Sequence, residues 1–128
     1  MDDQGNTMKV LIADDDPIIR MTYADIISDN GYDVIVCSNG QEAVKQCRRA
    51  LPDLLILDIH MPELSGPDTV HAIRKLPGGN GIPVIMISGD PADRKMLADT
   101  DCFLHKPISM DDLSANIARL IGHKHKSA

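Results

Sequence analysis

The stretch LLILDIHMPELSG, residues 54 to 66, runs four apolar residues straight into Asp58. A carboxylate at the end of a buried run is costly unless something compensates it. The other residues able to do chemistry stand in similar places. Apolar runs lead into Asp14-Asp15-Asp16, into Ser88-Gly89 and into His105-Lys106-Pro107. If those runs are neighbouring strands, several carboxylates, a hydroxyl and an ammonium converge. Clustered carboxylates repel one another, and a divalent cation relieves the repulsion. All-oxygen ligands suit Mg²⁺, with Mn²⁺ as an alternative, and no cluster of thiolates or imidazoles favours zinc. A Lys and a Ser hydroxyl opposite the cation would hold phosphoryl oxygens. An Asp can itself accept a phosphoryl group as an acyl phosphate. Catalysis would then consist of positioning and charge neutralisation.

That convergence depends on the elements. Residues 8 to 13 form a short apolar run bounded by polar residues, a buried-strand signal. From Pro17 to about Asn30, Ile19, Tyr23, Ile26 and Ile27 recur at helical spacing. Pro17 suits the first turn and Gly31 the stop. Asp33 to Cys37 is the next strand. Asn39 caps a helix with Ala43, Val44 and Cys47 inward, ending near Pro52. Leu54 to Leu57 is a strand, and Pro67 to Leu76 is a helix with Val70 and Ile73 inward. Residues 77 to 81, PGGNG, form a loop. Pro83 to Ile87 is a strand, Ala92 to Ala98 a short helix, and Cys102 to Leu104 a very short strand. Ser109 caps the last helix, with Asp111 and Asp112 favouring its dipole and a stripe of Leu113, Ile117, Leu120 and Ile121. Apolar strands alternating with amphipathic helices imply an α/β domain, a parallel sheet covered on both faces. In such a sheet function gathers at the carboxyl ends of the strands. In the common doubly wound orders the first, third, fourth and fifth strands lie side by side.

The 128 residues suffice for one domain with one core. Aromatics are 2% of the chain, so that core must be aliphatic. A formal net charge of −6 argues against a nucleic-acid footprint and against an anionic membrane surface. No apolar run approaches the roughly 20 residues of a membrane span, and no secretory signal is visible. Cys37, Cys47 and Cys102 lack CxxC spacing and read as reduced cytosolic thiols. Residues 1–7 read as a disordered tail, 8–122 as the domain, and 123–128 as a second tail whose His-Lys-His-Lys is a solvated end.

With these motifs in order, the chain resembles the receiver domain of bacterial two-component response regulators. VLIADDDPIIR, LLILDIHMPELSG, VIMISG and FLHKP resemble four successive family segments, covering residues 8 to about 121. The resemblance implies a flavodoxin-like five-stranded sheet of order 2-1-3-4-5, with helices on both faces. It implies Asp58 as phosphoacceptor. Asp14 and Asp15 would hold Mg²⁺, Asp15 more directly, with Asp58 and the backbone carbonyl of His60. Ser88 would bind a phosphoryl oxygen and move on activation. Lys106 would pair with the phosphate, with a cis bond to Pro107. Phe103 would be the aromatic switch, and the His60 and Asp90 side chains would tune phosphate lifetime. We expect those two to lie close together and gate water.

Gly89 stands where the family usually has Ala, Thr100-Asp101 replace a Gly-Ala, and Phe103 lacks the hydroxyl of the Tyr in many relatives. Each residue alone has a plainer reading. Asp14 to Asp16 serve as a helix N-cap with solvated neighbours, Lys106 as a surface lysine, Ser88 as a strand-end hydroxyl, and Phe103 as core. Asp58 resists such a reading.

The resemblance further implies a phosphoacceptor, not a classical enzyme, working in the cytoplasm. The donor would be a sensor histidine kinase or a histidine phosphotransfer protein. It would dock beside Pro17, Ile18, Met21 and Pro107. A responding face, roughly Ala92 to Ile121, would act on a downstream protein, with phosphorylation-dependent dimerisation left open. We expect no nucleic-acid-binding output within this length. Two rivals stand beside this. A Mg²⁺-dependent phosphatase forming an aspartyl-phosphate would want an acid where His60 stands and a substrate cap. A non-phosphorylated interaction module would not need all five site residues.

Overall fold

The computed structural model describes residues 7–96 and 99–122. The expected tails at 1–7 and 123–128 lie outside the described residues, Thr7 and its neighbours in the domain excepted, as do the last two residues of the expected helix at 92–98.

Five parallel strands carry the domain: β1 (Lys9–Ala13), β2 (Asp33–Cys37), β3 (Leu54–Asp58), β4 (Val84–Ser88) and β5 (Cys102–His105), in the order β2-β1-β3-β4-β5. Between and after them run α1 (Pro17–Asp29), α2 (Gly40–Arg49), α3 (Gly66–Arg74) and α4 (Met110–Ile121). β1 and β3 are apolar almost throughout, yet alternate residues serve different layers. Leu11, Leu55, Leu57, Val84 and Met86 pack with Val44, Val70 and Ile73 of α2 and α3. Val10, Ile12, Leu54, Ile56, Ile85 and Ile87 pack with Tyr23 and Ile27 of α1 and Leu113, Ile117 and Ile121 of α4. This two-sided cover explains why these strands show no polar alternation.

The helix starts are written locally. Asp16, Asn39, Ser65 and Ser109 each accept backbone N–H bonds as N-caps. Gly31 ends α1 with φ +93°, in the left-handed region. Helix α2 stops at Arg49, short of the expected end near Pro52, because proline disfavours helical backbone at the residue before it. Within the expected loop, Gly79–Gly81 form a 3₁₀ turn.

The expected helix at 92–98 is the clearest departure. Pro91–Met96 form a 3₁₀ turn and no α-helix. The stretch Pro-Ala-Asp-Arg-Lys has no apolar stripe to bury, and packing of such a stripe supplies most helical stability in proteins. Asp90 Oδ1 accepts the Ala92 N–H at 2.9 Å, which starts the turn.

Gly66 ties β3 to α3. Its N–H donates to the Ile59 carbonyl at 2.9 Å. A Cβ there would meet the Asp58 carbonyl oxygen at 2.6 Å and Ile59 Cα at 3.0 Å. Backbone cannot yield as a flexible side chain does, so Gly66→Ala should cost about 1–3 kcal/mol, the range for overpacking. Urea denaturation measures this, and an unchanged midpoint would contradict the close packing.

Candidate functional site

The three consecutive acids after β1 have three different fates. Asp14 is fully buried, and its Oδ1 accepts the Asp16 N–H at 2.9 Å. Asp15 is exposed at the rim. Asp16 is the α1 cap, its Oδ1 taking the N–H groups of Ile18 and Ile19 at 2.9 and 3.3 Å. The plain capping reading therefore holds for Asp16 alone. Arg20, one turn into α1, donates from Nη1 to the Asp14 carbonyl at 2.8 Å and fixes the turn out of β1. The sequence reading had no role for Arg20.

Asp58 ends β3 and is nearly buried, and the His60 N–H donates to its Oδ1 at 3.3 Å. The Lys106 ammonium lies 2.8 Å from Asp14 Oδ2 and 3.2 Å from Asp58 Oδ2. Asp14 Oδ2 is buried with no well-angled hydrogen-bond donor among the described residues. Its compensation is the charge of Lys106. Lys106 reaches both acids because β5 pairs with β4, and β4 with β3, in parallel register. The Lys106–Pro107 bond is cis, as expected.

Burial pushes the Asp58 carboxyl above its ordinary value, and the neighbouring charge of Asp14 pushes it further. Lys106 and the His60 N–H pull it back without cancelling the rise. Burial would lower Lys106, but its pairing with Asp14 and Asp58 outweighs this and holds it protonated. The thiols stand apart. All three are free, and burial pushes Cys37 up to about 12 and Cys47 up to about 11.

One carboxylate oxygen each from Asp14, Asp15 and Asp58 lie within 4.8 Å of one another. Clustered hard oxygens and more negative than positive charge fit a small divalent cation. Chemically, the rim offers a carboxylate nucleophile, a fixed ammonium beside it, and a place for a metal.

Ser88 ends β4 and is fully buried. Its hydroxyl is engaged by the following turn: it accepts the Asp90 N–H at 3.0 Å and donates to Asp93 Oδ2. The same Asp93 oxygen meets His60 Nε2 at 2.7 Å. His60 therefore pairs with Asp93, and the Asp90 carboxylate serves Ala92. The Ser88 hydrogen bond, and then His60, hold the Asp93 carboxyl below its ordinary range. Asp93, like Arg20, was not singled out from the sequence, and its only sequence signal is an acid five places after Ser88. Phe103, paired with Met86, is half-buried against the α2–α3 face, with the Arg94 guanidinium 5.2 Å from its ring centre. At Gly89 an added Cβ would meet nothing within 4 Å, so a family alanine would fit. Asp101 closes the start of β4: its Oδ2 accepts the Val84 N–H at 2.7 Å. Pro17 and Pro107 are exposed, and Ile18 and Met21 are 76% and 67% exposed on α1.

The family model described as the response regulator receiver domain matches residues 10–118. The chain belongs to that family. This receiver is 37% identical over 124 residues to the probable transcriptional regulator ycf27 of Guillardia theta, covering 94% of this chain and 48% of that protein. It is 34% identical to the sensor histidine kinase TmoS of Ectopseudomonas mendocina, covering 94% of this chain and 13% of that one. The chain thus spans half or less of the length of these relatives. Among solved structures it is similar to the response regulator protein TrrA of Thermotoga maritima, in complex with Mg²⁺-BeF. There the TM-score is 0.82 at 29% identity, covering 89% of this chain and 99% of that one. The chain is a response regulator receiver domain of two-component signalling, which supports a phosphorylatable receiver, and neither the phosphatase nor the interaction-module reading is favoured.

The raised Asp58 carboxyl fixes the sign of a pH effect. The folded state holds that proton more tightly than the unfolded chain, so ionising Asp58 costs stability. The cost is absent well below the ordinary value of 3.8 and grows as pH rises through that value toward the folded one. In chelator, Asp58→Asn should therefore gain on the parent in urea as pH rises from 4 to 7. A constant difference would contradict the assignment.

Proposed function

We propose that Asp58 is the residue phosphorylated in this receiver and that it works with Mg²⁺. The observation that carries this is the joint hold on Asp58: the Lys106 ammonium at 3.2 Å and the cluster with Asp14 and Asp15. Asp14, Asp15, Asp58 and the His60 backbone carbonyl would hold the metal, Asp15 as the most accessible acid. When bound, Mg²⁺ neutralises charge on the phosphoryl oxygens. Mn²⁺ has the same oxygen-donor preference.

The Asp58 carboxylate oxygen attacks the donor's phosphorus. The O–P bond forms as the donor's P–N bond breaks. The electron pair returns to the donor imidazole, which solvent reprotonates. Lys106, already fixed by Asp14, has an ammonium within reach of the new phosphoryl group. Ser88 moves from the turn to a phosphoryl oxygen, and Phe103 repacks. Attack of water on phosphorus later returns the Asp58 carboxylate and inorganic phosphate, with the His60 and Asp90 side chains tuning that lifetime.

Receiver domains interact with histidine kinases. For this chain the donor is a sensor histidine kinase or a histidine phosphotransfer protein. Exposed Ile18 and Met21, flanked by Pro17 and with Pro107 at the same rim, support docking there. Output passes to a downstream protein partner through the face from Ala92 to Ile121, or through a phosphorylation-dependent dimer. The proposed place of work is the cytoplasm; separately, no helix among the described residues is long and apolar enough to cross a membrane.

Intact mass after incubation with Mg²⁺ and acetyl phosphate checks the acceptor. The parent should gain one phosphoryl group, dependent on Mg²⁺, and Asp58→Asn should gain none. An adduct of equal yield on Asp58→Asn would move the acceptor elsewhere.

A further inference from the structure

The Ser88 hydroxyl has one proton to donate, and Asp93 Oδ2 receives it. The Asp90 carbonyl, at 3.5 Å, is too distant to compete. Hydrogen bonds to a carboxylate are stronger than those between neutral groups. Asp93 is also well placed to keep this bond. It is buried although its turn is polar and mostly exposed, and His60 holds the same oxygen at 2.7 Å. A phosphoryl oxygen on Asp58 would need the same Ser88 proton.

We propose that Asp93 is a positioning residue that competes with the phosphoryl group for the Ser88 hydroxyl and so holds the receiver in its unphosphorylated arrangement. The proposal rests on Asp58 being the acceptor. The exchange breaks one hydrogen bond, Ser88 to Asp93, and forms one, Ser88 to phosphoryl oxygen. Asp93 then keeps His60 and gains water, so its charge stays compensated. The neighbouring Arg94 lies over the Phe103 ring, so the Pro91–Met96 turn touches both residues that must move. Loosening Ser88 from Asp93 frees the same turn that holds the cation over the aromatic ring.

The test is a double-mutant cycle on the whole chain, with Mg²⁺ and acetyl phosphate, following adduct formation by time-resolved intact mass. Asp93→Asn weakens the acceptor and Asp93→Ala removes it. Each should speed phosphorylation about three- to tenfold, the effect of removing one competing hydrogen bond. In a Ser88→Ala background the same substitutions should change the rate less than about twofold, because the shared proton is gone. A general charge effect, or one acting through freed His60, would persist in that background, and equal acceleration in both overturns the proposal. So does an unchanged rate in both Asp93 variants while the parent is phosphorylated on Asp58. If neither the parent nor any Asp93 variant gains an adduct, the acceptor reading falls and this proposal falls with it.

Discussion

One ammonium between two buried carboxylates sets the terms for the rest of this domain. The Lys106 ammonium lies within 3.2 Å of both carboxylates, Asp14 and Asp58, and neither carboxylate forms another ion pair among the described residues. Burial of charge is tolerable only with such pairing. The pairing is incomplete, because one positive charge faces two buried acids, with Asp15 adding a third at the rim. That surplus of carboxylate charge suits a divalent cation.

Holding like charges together requires a frame that does not relax. The frame is the central sheet, whose β3 is wholly buried and whose register with β4 and β5 brings Lys106 over Asp58. Packed cores deform little, so the repulsion stays stored in the rim. The loops supply the finer control. Asp16 pins α1, Arg20 pins the Asp14 backbone, and Gly66 lets α3 start against the Asp58 carbonyl.

Much of this was legible in the sequence because it is periodic or punctuated. The apolar runs marked the strands, the residues ending them marked the rim, and Asn39 and Ser109 marked helix starts. Asp58, Lys106 and the Asp14-Asp15 pair followed from those strand ends. What was not legible depends on the path of a loop. Asp93 looks like any surface acid in a polar stretch, and only the tight turn from Asp90 brings it back under Ser88. The same turn takes the place of the expected helix over the described residues 92 to 96 and brings Asp93 to His60. Asp101 was visible only as a departure from the family, and its cap on β4 needed the coordinates.

The central claim is that the uncompensated charge around Asp58 is a cation site. Calorimetric titration of the chain with Mg²⁺, beside Asp15→Asn, tests it most directly. The account predicts one Mg²⁺ bound by the parent and affinity about tenfold weaker or worse in the variant, a loss of at least ~1.4 kcal/mol. No binding by the parent, or equal affinity in both, would contradict it.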